Sequence, residues 1–308
     1  MHNSILATGS SQAHSPRRRI CFNHDWHFQK GDFADGAKPD FDDTQWRQLN
    51  LPHDWGIEGP FDQELPGETG KLPWAGVAWY RKRFEVAKGD AEQRWTLEID
   101  GAMSHSTVWL NNKCVGGWPY GYNSYYLDLT PYTIPGTENV LAIRLDNPPE
   151  SSRWYPGAGI YRNVWLLQTG LIHITQWGTK ISTSMQHADG FVFVATTLKN
   201  ETEREEKVWL HSVVVDSQVN QVAAQETAVV LSAGEEHIVP SQLTITSPRL
   251  WSLEDPHSRN RPRQNQGRWR RFRFHHGLDY RRAWPHGAAL EEPSPLHRFR
   301  PRRNRGDR

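Results

Sequence analysis

Residues 152–167, SRWYPGAGIYRNVWLL, place an arginine and two aromatic residues directly before a Pro-Gly-Ala-Gly turn and an apolar segment. The guanidinium of Arg153 can donate a fork of hydrogen bonds, and the rings of Trp154 and Tyr155 offer flat apolar faces. The glycines permit a sharp turn after these side chains, because glycine adopts backbone angles that other residues avoid. A donor fork beside a flat ring suits a ligand that is rich in hydroxyl groups.

Tryptophan is unusually frequent, with fifteen in 308 residues. In a β-rich chain such an excess indicates carbohydrate, whose C–H faces lie flat on aromatic rings. The alternative is that the rings fill the core of a sandwich, where each indole N–H needs a hydrogen-bond acceptor. Composition does not separate the two interpretations.

Metal, disulfide and membrane chemistry are not indicated. Cys21 and Cys114 are too few for a disulfide framework, and neither has a second Cys or a His at metal-ligand spacing. We therefore predict no metal and no cofactor. The first twenty residues lack the apolar run of a secretory signal, and no stretch has the roughly 18 apolar residues of a membrane span. A soluble cytoplasmic protein without a membrane partner is expected.

The chain from Cys21 onward consists of short apolar segments separated by Gly, Pro, Asn and Asp. This spacing favours antiparallel β-sandwiches. Asn111-Asn112 predicts a hairpin turn, since Asn tolerates positive φ, and FDDTQW at 41–46 predicts a helix of one or two turns. After about residue 170 the segments become richer in Val, Thr and Ile, which is typical of an immunoglobulin-like sandwich.

Several motifs resemble glycoside hydrolase family 2, the family of β-galactosidases, β-glucuronidases and β-mannosidases. They occur in that family's order, and the combination of the first and last looks most like β-galactosidase. The motifs are LPHDW (51–55), VAWYRKRFEV (77–86), VWLNNKCVGGWPYGY (108–122), LDLTPYT (127–133), RLDN (144–147) and SRWYPGAGIYRNVWL (152–166). The resemblance covers about residues 21–256.

The resemblance implies an all-β fold with a defined domain order. We expect a disordered amino terminus at 1–20 and a jelly-roll, galactose-binding-like sandwich at 21–170. An immunoglobulin-like sandwich at 171–256 follows and lacks its last strands, and 257–308 form a disordered arginine-rich tail. In function, the chain is expected to be the non-catalytic amino-terminal portion of an enzyme that hydrolyses O-glycosyl bonds in carbohydrate metabolism.

The same resemblance assigns the candidate substrate-binding residues. Loops that hold HDW and RLDN…SRWY would reach toward the mouth of a catalytic barrel, which makes Asp54, Asp146, Asn147, Arg153 and Trp154 the candidates. Aspartates can accept hydrogen bonds from sugar hydroxyls. The expected partner is a β-galactoside-like carbohydrate, bound weakly because these residues would form only one wall of a pocket.

Each candidate also has a structural alternative. His53 and Asp54 would cap and brace their loop, Arg153 would pair with an acid on a neighbouring domain, and Trp154 would pack at a domain interface. A retaining glycosidase needs two carboxylates about 5 to 5.5 Å apart. In the family both come from the barrel, so no catalytic residue is assigned and the chain alone is expected to be inactive. Alternative functions are a free-standing carbohydrate-binding module and a β-glucuronidase- or β-mannosidase-like relative. The oligomeric state stays open.

The tail has a different composition from the rest of the chain. From Ser258 onward there are fifteen Arg, four acidic residues and no Lys, Val or Ile, a balance of +11 against −10 for residues 1–257. The simplest account is a frameshifted reading of GC-rich DNA. The alternative is a nucleic-acid arm, because RWRRFRF interleaves cations with rings. Nothing before it resembles a nucleic-acid module, so no nucleic-acid partner is predicted, and His275-His276 is not expected to hold a metal.

Overall fold

The computed structural model describes residues 17–65, 70–90, 92–149, 157–216 and 220–250, together with the backbone of a strand at 274–279. Within these residues the regular structure consists of β-strands and short 3-10 helices, and none of them lies in an α-helix. None of the described helices is long and apolar enough to cross a membrane. The expected all-β fold class is confirmed.

The first sandwich is built from ten strands in two antiparallel sheets. The smaller sheet has the order β1-β10-β5-β8 and the larger has the order β3-β2-β4-β9-β6-β7. The strands are β1 (Arg17–Cys21), β2 (Trp26–Lys30), β3 (Arg47–Leu49), β4 (Gly76–Glu85), β5 (Arg94–Ile99), β6 (Ser106–Leu110), β7 (Lys113–Trp118), β8 (Tyr125–Asp128), β9 (Glu138–Asn147) and β10 (Val164–Thr169).

The second sandwich has sheets of order β11-β12-β15 and β14-β13-β16. Its strands are β11 (Ile172–Gln186), β12 (Asp189–Asn200), β13 (Glu206–Val215), β14 (Gln221–Leu231), β15 (Glu236–Ile245) and β16 (Phe274–Asp279). Alternate residues of β12 and β13 point inward and form its core, which includes Leu198, Val208 and Leu210.

Three local expectations can be compared with these strands. The hairpin is confirmed, since Asn111 and Asn112 have φ of 51° and 65° between β6 and β7. The short helix at 41–46 is wrong, because the segment forms a turn in which the Asp42 carboxylate accepts from the backbone N–H of Thr44 at 3.0 Å. Disorder is wrong for residues 17–20, which lie in β1 and pair with β10.

The arginine-rich tail contributes one strand. Phe274–Asp279 pairs antiparallel with β13, so the expected disorder of the tail does not hold for these six residues. Sheet pairing uses main-chain groups, and an unpaired edge accepts an extended segment whatever its side chains. The remainder of residues 257–308 lies outside the described residues.

Most of the described tryptophans serve the cores, as the structural alternative predicts. Two buried indoles have backbone acceptors, since Trp26 donates to the Phe22 carbonyl at 2.7 Å and Trp55 to the Trp74 carbonyl at 3.1 Å. The buried Nε1 of Trp95 has no hydrogen-bond partner among the described residues. Six tryptophans are buried, namely Trp26, Trp46, Trp55, Trp74, Trp79 and Trp95. Trp118 and Trp177 are large exposed rings.

A buried ion pair fastens the loop between β2 and β3 to the outer face of the larger sheet. The Arg81 side chain is 0% exposed and donates through Nε to the Asp43 carboxylate, 3% exposed, at 2.7 Å. The same guanidinium donates to the carbonyls of Gly36 and Lys38. Arg83 contacts both oxygens of Asp43 at 2.8 Å.

We expect Asp43→Ala to lower the free energy of unfolding by about 3–5 kcal/mol, because it leaves the buried Arg81 charge without its counter-ion. Chemical denaturation followed by tryptophan fluorescence measures the change. Asp42→Ala, which alters the neighbouring exposed carboxylate, is the matched control and should have a much smaller effect. Equal losses in the two variants would contradict the importance of the buried pair.

Candidate functional site

Three chain segments lie side by side at one end of the first sandwich. The segment at 157–160 is the middle one. On one side it accepts backbone hydrogen bonds from His53 and Trp55, both at 2.9 Å, through Ile160 and Ala158. On the other side, Gly159 and Met103 exchange two hydrogen bonds at 2.9 and 3.0 Å. The segments containing HDW and PGAG therefore meet, although about a hundred residues separate them.

Gly159 makes this close approach possible. Its φ is +121°, and a Cβ placed there would lie 2.5 Å from the His53 carbonyl oxygen and 2.6 Å from the Tyr80 hydroxyl. No side chain fits at that distance, so glycine is required both for the backbone angle and for the space. The described part of the expected turn is instead a bridged segment that joins the loops on its two sides.

Asp54 acts within this assembly as a cap. One carboxylate oxygen accepts from the backbone N–H of Gly56 and from that of Ala158, each at 2.8 Å. The first bond caps the 3-10 helix Trp55–Glu58, and the second ties that helix to the middle segment. The residue is 9% exposed. These contacts are those of the structural alternative, and direct contact between Asp54 and a ligand stays a prediction.

His53 is the centre of a hydrogen-bonded chain of side chains. Its Nδ1 lies 2.7 Å from the Tyr80 hydroxyl and its Nε2 lies 3.1 Å from Glu58, whose carboxylate also accepts from Arg47 at 2.7 Å. Since ionised Glu58 can only accept, Nε2 carries the proton and Nδ1 accepts from Tyr80. Burial is the main cause that lowers the pKa of His53.

Glu58 keeps its charge at the exposed end of this chain. Burial alone would raise the pKa of its carboxyl, but the hydrogen bonds from Arg47 and His53 outweigh burial and lower it. His53 is therefore held neutral beside an ionised carboxylate. The chain positions the loop and exposes little of the imidazole, in agreement with the bracing role.

Asn147 is completely buried and bonds to three parts of the site. Its amide donates to the carbonyls of Trp74 and Gly157, each at 3.2 Å, and its carbonyl oxygen lies 3.2 Å from the Ser104 hydroxyl. Every one of these contacts is internal. The geometry gives Asn147 a positioning role. The predicted contact between Asn147 and substrate stays a prediction.

Among the three predicted site residues that the structure describes, Asp146 is the one whose side chain reaches solvent. Its side chain is 43% exposed, and one oxygen accepts from Arg144 at 3.3 Å. Arg144 is itself fixed by a two-point contact with Asp32, at 2.9 and 2.7 Å. The hydrogen bond from Arg144 is the main cause that lowers the pKa of Asp32 to about 2. Asp146 thus offers carboxylate oxygens from a firmly held position.

Arg153 and Trp154 lie outside the described residues, so their predicted roles are neither supported nor opposed.

The structure adds residues that the sequence analysis did not assign. Asp32 and Arg144 are 112 positions apart, and no sequence pattern joins them. Trp118 and Tyr120 are exposed on a loop that the Tyr161 hydroxyl and the His105 N–H hold beside the site. The GWPYGY motif was the available signal for that loop.

Two known protein families match the sequence of the chain. "Glycosyl hydrolases family 2, sugar binding domain" matches residues 68–170, and "Glycosyl hydrolases family 2" matches residues 172–258. The chain belongs to glycosyl hydrolases family 2. The resemblance seen in the motifs is confirmed, and the chain corresponds to the amino-terminal portion of a family 2 enzyme.

Individual relatives show the extent of the match. A beta-galactosidase of Bacteroides ovatus is 46% identical over 255 residues, which are 82% of this chain and 30% of the relative. A beta-glucuronidase of Formosa agariphila is 26% identical over 267 residues, covering 79% and 27%. The crystal structure of a family 2 member from Bacteroides cellulosilyticus superposes with a TM-score of 0.73 at 35% identity, covering 77% and 32%. The chain thus spans less than a third of each relative.

We expect Gly159→Ala to lower the free energy of unfolding of this family 2 chain by about 2–4 kcal/mol, because the added methyl group meets backbone atoms and the φ is unfavourable. Gly76→Ala is the matched control, since Gly76 has a φ of +120° but nothing within 4 Å of its Cβ position. Thermal and chemical denaturation measure both. Equal losses would show that the backbone angle alone matters, against the requirement for close approach.

We expect the stability of the chain to fall as the pH drops below about 7. His53 has a lowered pKa in the folded state, whereas the unfolded chain takes up the proton near the ordinary pKa of about 6.5. Its contribution is therefore fully present above the unfolded pKa and is lost as the pH falls from there through the lower pKa of the folded state. Melting temperatures between pH 8 and pH 5.5 measure the slope.

His53→Gln should flatten this slope. Part of the slope should persist, since burial is also the main cause that lowers the pKa of His173, in the second sandwich. His173→Gln is the matched comparison for that remainder. A variant at His53 with the slope of the parent would contradict the assignment of a neutral, buried imidazole.

Proposed function

We propose that this chain is the sugar-binding, non-catalytic part of a β-galactosidase-like glycosidase. The observation that carries the proposal is the exposed carboxylate of Asp146, held by Arg144 at the edge of the joined loops. A carboxylate accepts hydrogen bonds from neighbouring sugar hydroxyls. The similarity to a beta-galactosidase at 46% identity supports a galactoside as the sugar.

A β-glucuronidase-like function is the second candidate, because relatives that carry that name also match. A glucuronide presents its own carboxylate, which a binding site usually meets with a cation. Among the described residues, the cation that contacts Asp146 is Arg144, which is already engaged by Asp32 through two hydrogen bonds. This charge arrangement favours a neutral sugar over an acidic one.

Binding is expected to be weak. The described loops form one side of a site, and an open surface excludes little water and makes few simultaneous contacts. We therefore expect dissociation constants of about 1 mM or weaker for monosaccharides. The free-standing carbohydrate-binding module, the alternative from another class, would instead bind at micromolar concentration.

Ligand-observed NMR titration of the purified chain with galactose and with glucuronate tests the proposal. We expect galactose to bind more tightly than glucuronate, and Asp146→Ala to weaken galactose binding at least about tenfold. Asp90→Ala is the control, since Asp90 precedes β5 at the end of that strand away from the site. Preference for glucuronate, or unchanged binding in Asp146→Ala, would count against a galactoside site at Asp146.

The same preparation should not hydrolyse aryl β-galactosides above a control without protein. A retaining glycosidase requires a paired acid/base and nucleophile, and no residue of this chain is assigned to either role. Turnover that persists through repurification would overturn the non-catalytic assignment. Binding and turnover are measured separately, so each part of the proposal can fail alone.

A further inference from the structure

Two exposed aromatic rings meet where the two sandwiches join. Tyr126, on the outer face of β8, is 46% exposed, and Trp177, in β11, is 56% exposed. Their ring centroids are 5.1 Å apart with planes at 89°, an edge-to-face contact. One ring comes from each sandwich, so the pair exists only when both domains are in place.

The backbone of β11 is distorted to present Trp177. The pairing of β11 with β12 shifts register between Ile174 and Thr179, and Trp177 has a φ of 55°. A bulky residue with positive φ is strained, and such strain persists where a surrounding structure enforces it, often at functional positions. β-Bulges of this kind redirect a side chain out of the regular alternation.

The bulge requires a glycine at position 178, and the sequence has one there. A Cβ on Gly178 would lie 2.2 Å from the Thr175 hydroxyl oxygen and 3.1 Å from the Thr197 carbonyl oxygen. The side chain before the tryptophan is also fixed, since Gln176 bonds to both Arg17 and Glu98 of the first sandwich. Trp177 is therefore anchored on both sides while its ring stays half exposed.

Polar groups surround the pair. Glu98 lies directly across from Tyr126 in the register of β5 and β8, but it is buried and already bonded to Arg19 and Gln176. Asp128 is on the same face two residues further along, and Arg94 joins it at 2.7 Å to Glu201 of the second sandwich at 2.6 Å. The surface is thus a small apolar centre with hydrogen-bonding groups at its edge.

The size of this surface decides what can occupy it. The exposed parts of the two rings amount to roughly 200 Å², whereas a stable protein interface needs about 800 Å² on each partner. A sugar ring matches the smaller area, because its C–H face covers one aromatic ring while its hydroxyls reach the polar edge. We propose that Tyr126 and Trp177 form a second carbohydrate-binding surface, which takes a neutral oligosaccharide and is separate from the site at Asp146.

Titration of the full chain with cellotetraose and with β-1,4-galactotetraose, followed by ligand-observed NMR, tests this surface. We expect Trp177→Ala and Tyr126→Ala each to weaken binding of at least one tetraose by about tenfold or more. Phe193→Ala, which removes another exposed ring of the second sandwich, is the matched control and should change affinity less than twofold. Trp177→Phe keeps a ring and should retain affinity within about threefold.

Each other outcome overturns the inference. These outcomes are no binding of either tetraose to the parent chain, unchanged binding in Trp177→Ala, or equal loss in Trp177→Phe and Trp177→Ala, which would indicate an effect on folding. Asp146→Ala separates the two sites. If only Asp146→Ala loses tetraose binding, the proposed function is supported and the second surface is contradicted. If only Trp177→Ala loses tetraose binding, the second surface is supported and the site at Asp146 is contradicted.

Discussion

The space at Gly159 is the constraint on which the end of the first sandwich depends. The His53 carbonyl and the Tyr80 hydroxyl approach this residue so closely that even a methyl group has no room. Because the middle segment fits there, it can bond on one side to His53 and Trp55 and on the other to Met103. Protein interiors are densely packed, so the geometry of the site depends on the absence of a side chain at Gly159.

The polar groups near this point divide into those that build the site and those that can meet a ligand. Asp54 and Asn147 form hydrogen bonds with backbone and side-chain atoms of the protein. Buried polar groups need such partners, since leaving one unsatisfied costs more than a typical hydrogen bond contributes. Asp146 differs because its backbone belongs to the same network while its carboxylate reaches solvent. A rigid frame with few exposed groups is the arrangement expected of a specific binding surface.

At the junction between the sandwiches, polar groups likewise bond to partners within the protein, here across the domain boundary. Gln176 inserts a neutral amide between Arg17 and Glu98, so that charges of the first sandwich are satisfied from the second. Arg94 and Glu201 add an ion pair across the same boundary. These contacts fix the relative position of the two domains at the point where Trp177 is displayed, and they give a reason for the strained backbone at that residue.

Local features of the fold were readable from the sequence. The strands follow from alternating apolar residues, and the turn at Asn111-Asn112 follows from tolerance of positive φ. Pro-Gly-Ala-Gly indicated a position that requires glycine, which the φ of +121° at Gly159 bears out, but the structure has a β-bridge there and not the expected sharp turn. The helix expected at 41–46 is replaced by a turn, in which the Asp42 carboxylate accepts from the Thr44 N–H and Asp43 bonds to Arg81 of a distant strand.

The tertiary structure decided which polar groups are available. Asp54, Asp146 and Asn147 were all candidates from the sequence, and the folded chain shows that the carboxylate of Asp146 is exposed whereas Asp54 and Asn147 are buried. Arg144 meets Asp32, 112 positions away, because of the order of the strands in the larger sheet. Burial and long-range pairing depend on that strand order, which no short stretch of sequence encodes, whereas backbone angles and alternation are local and could be read directly.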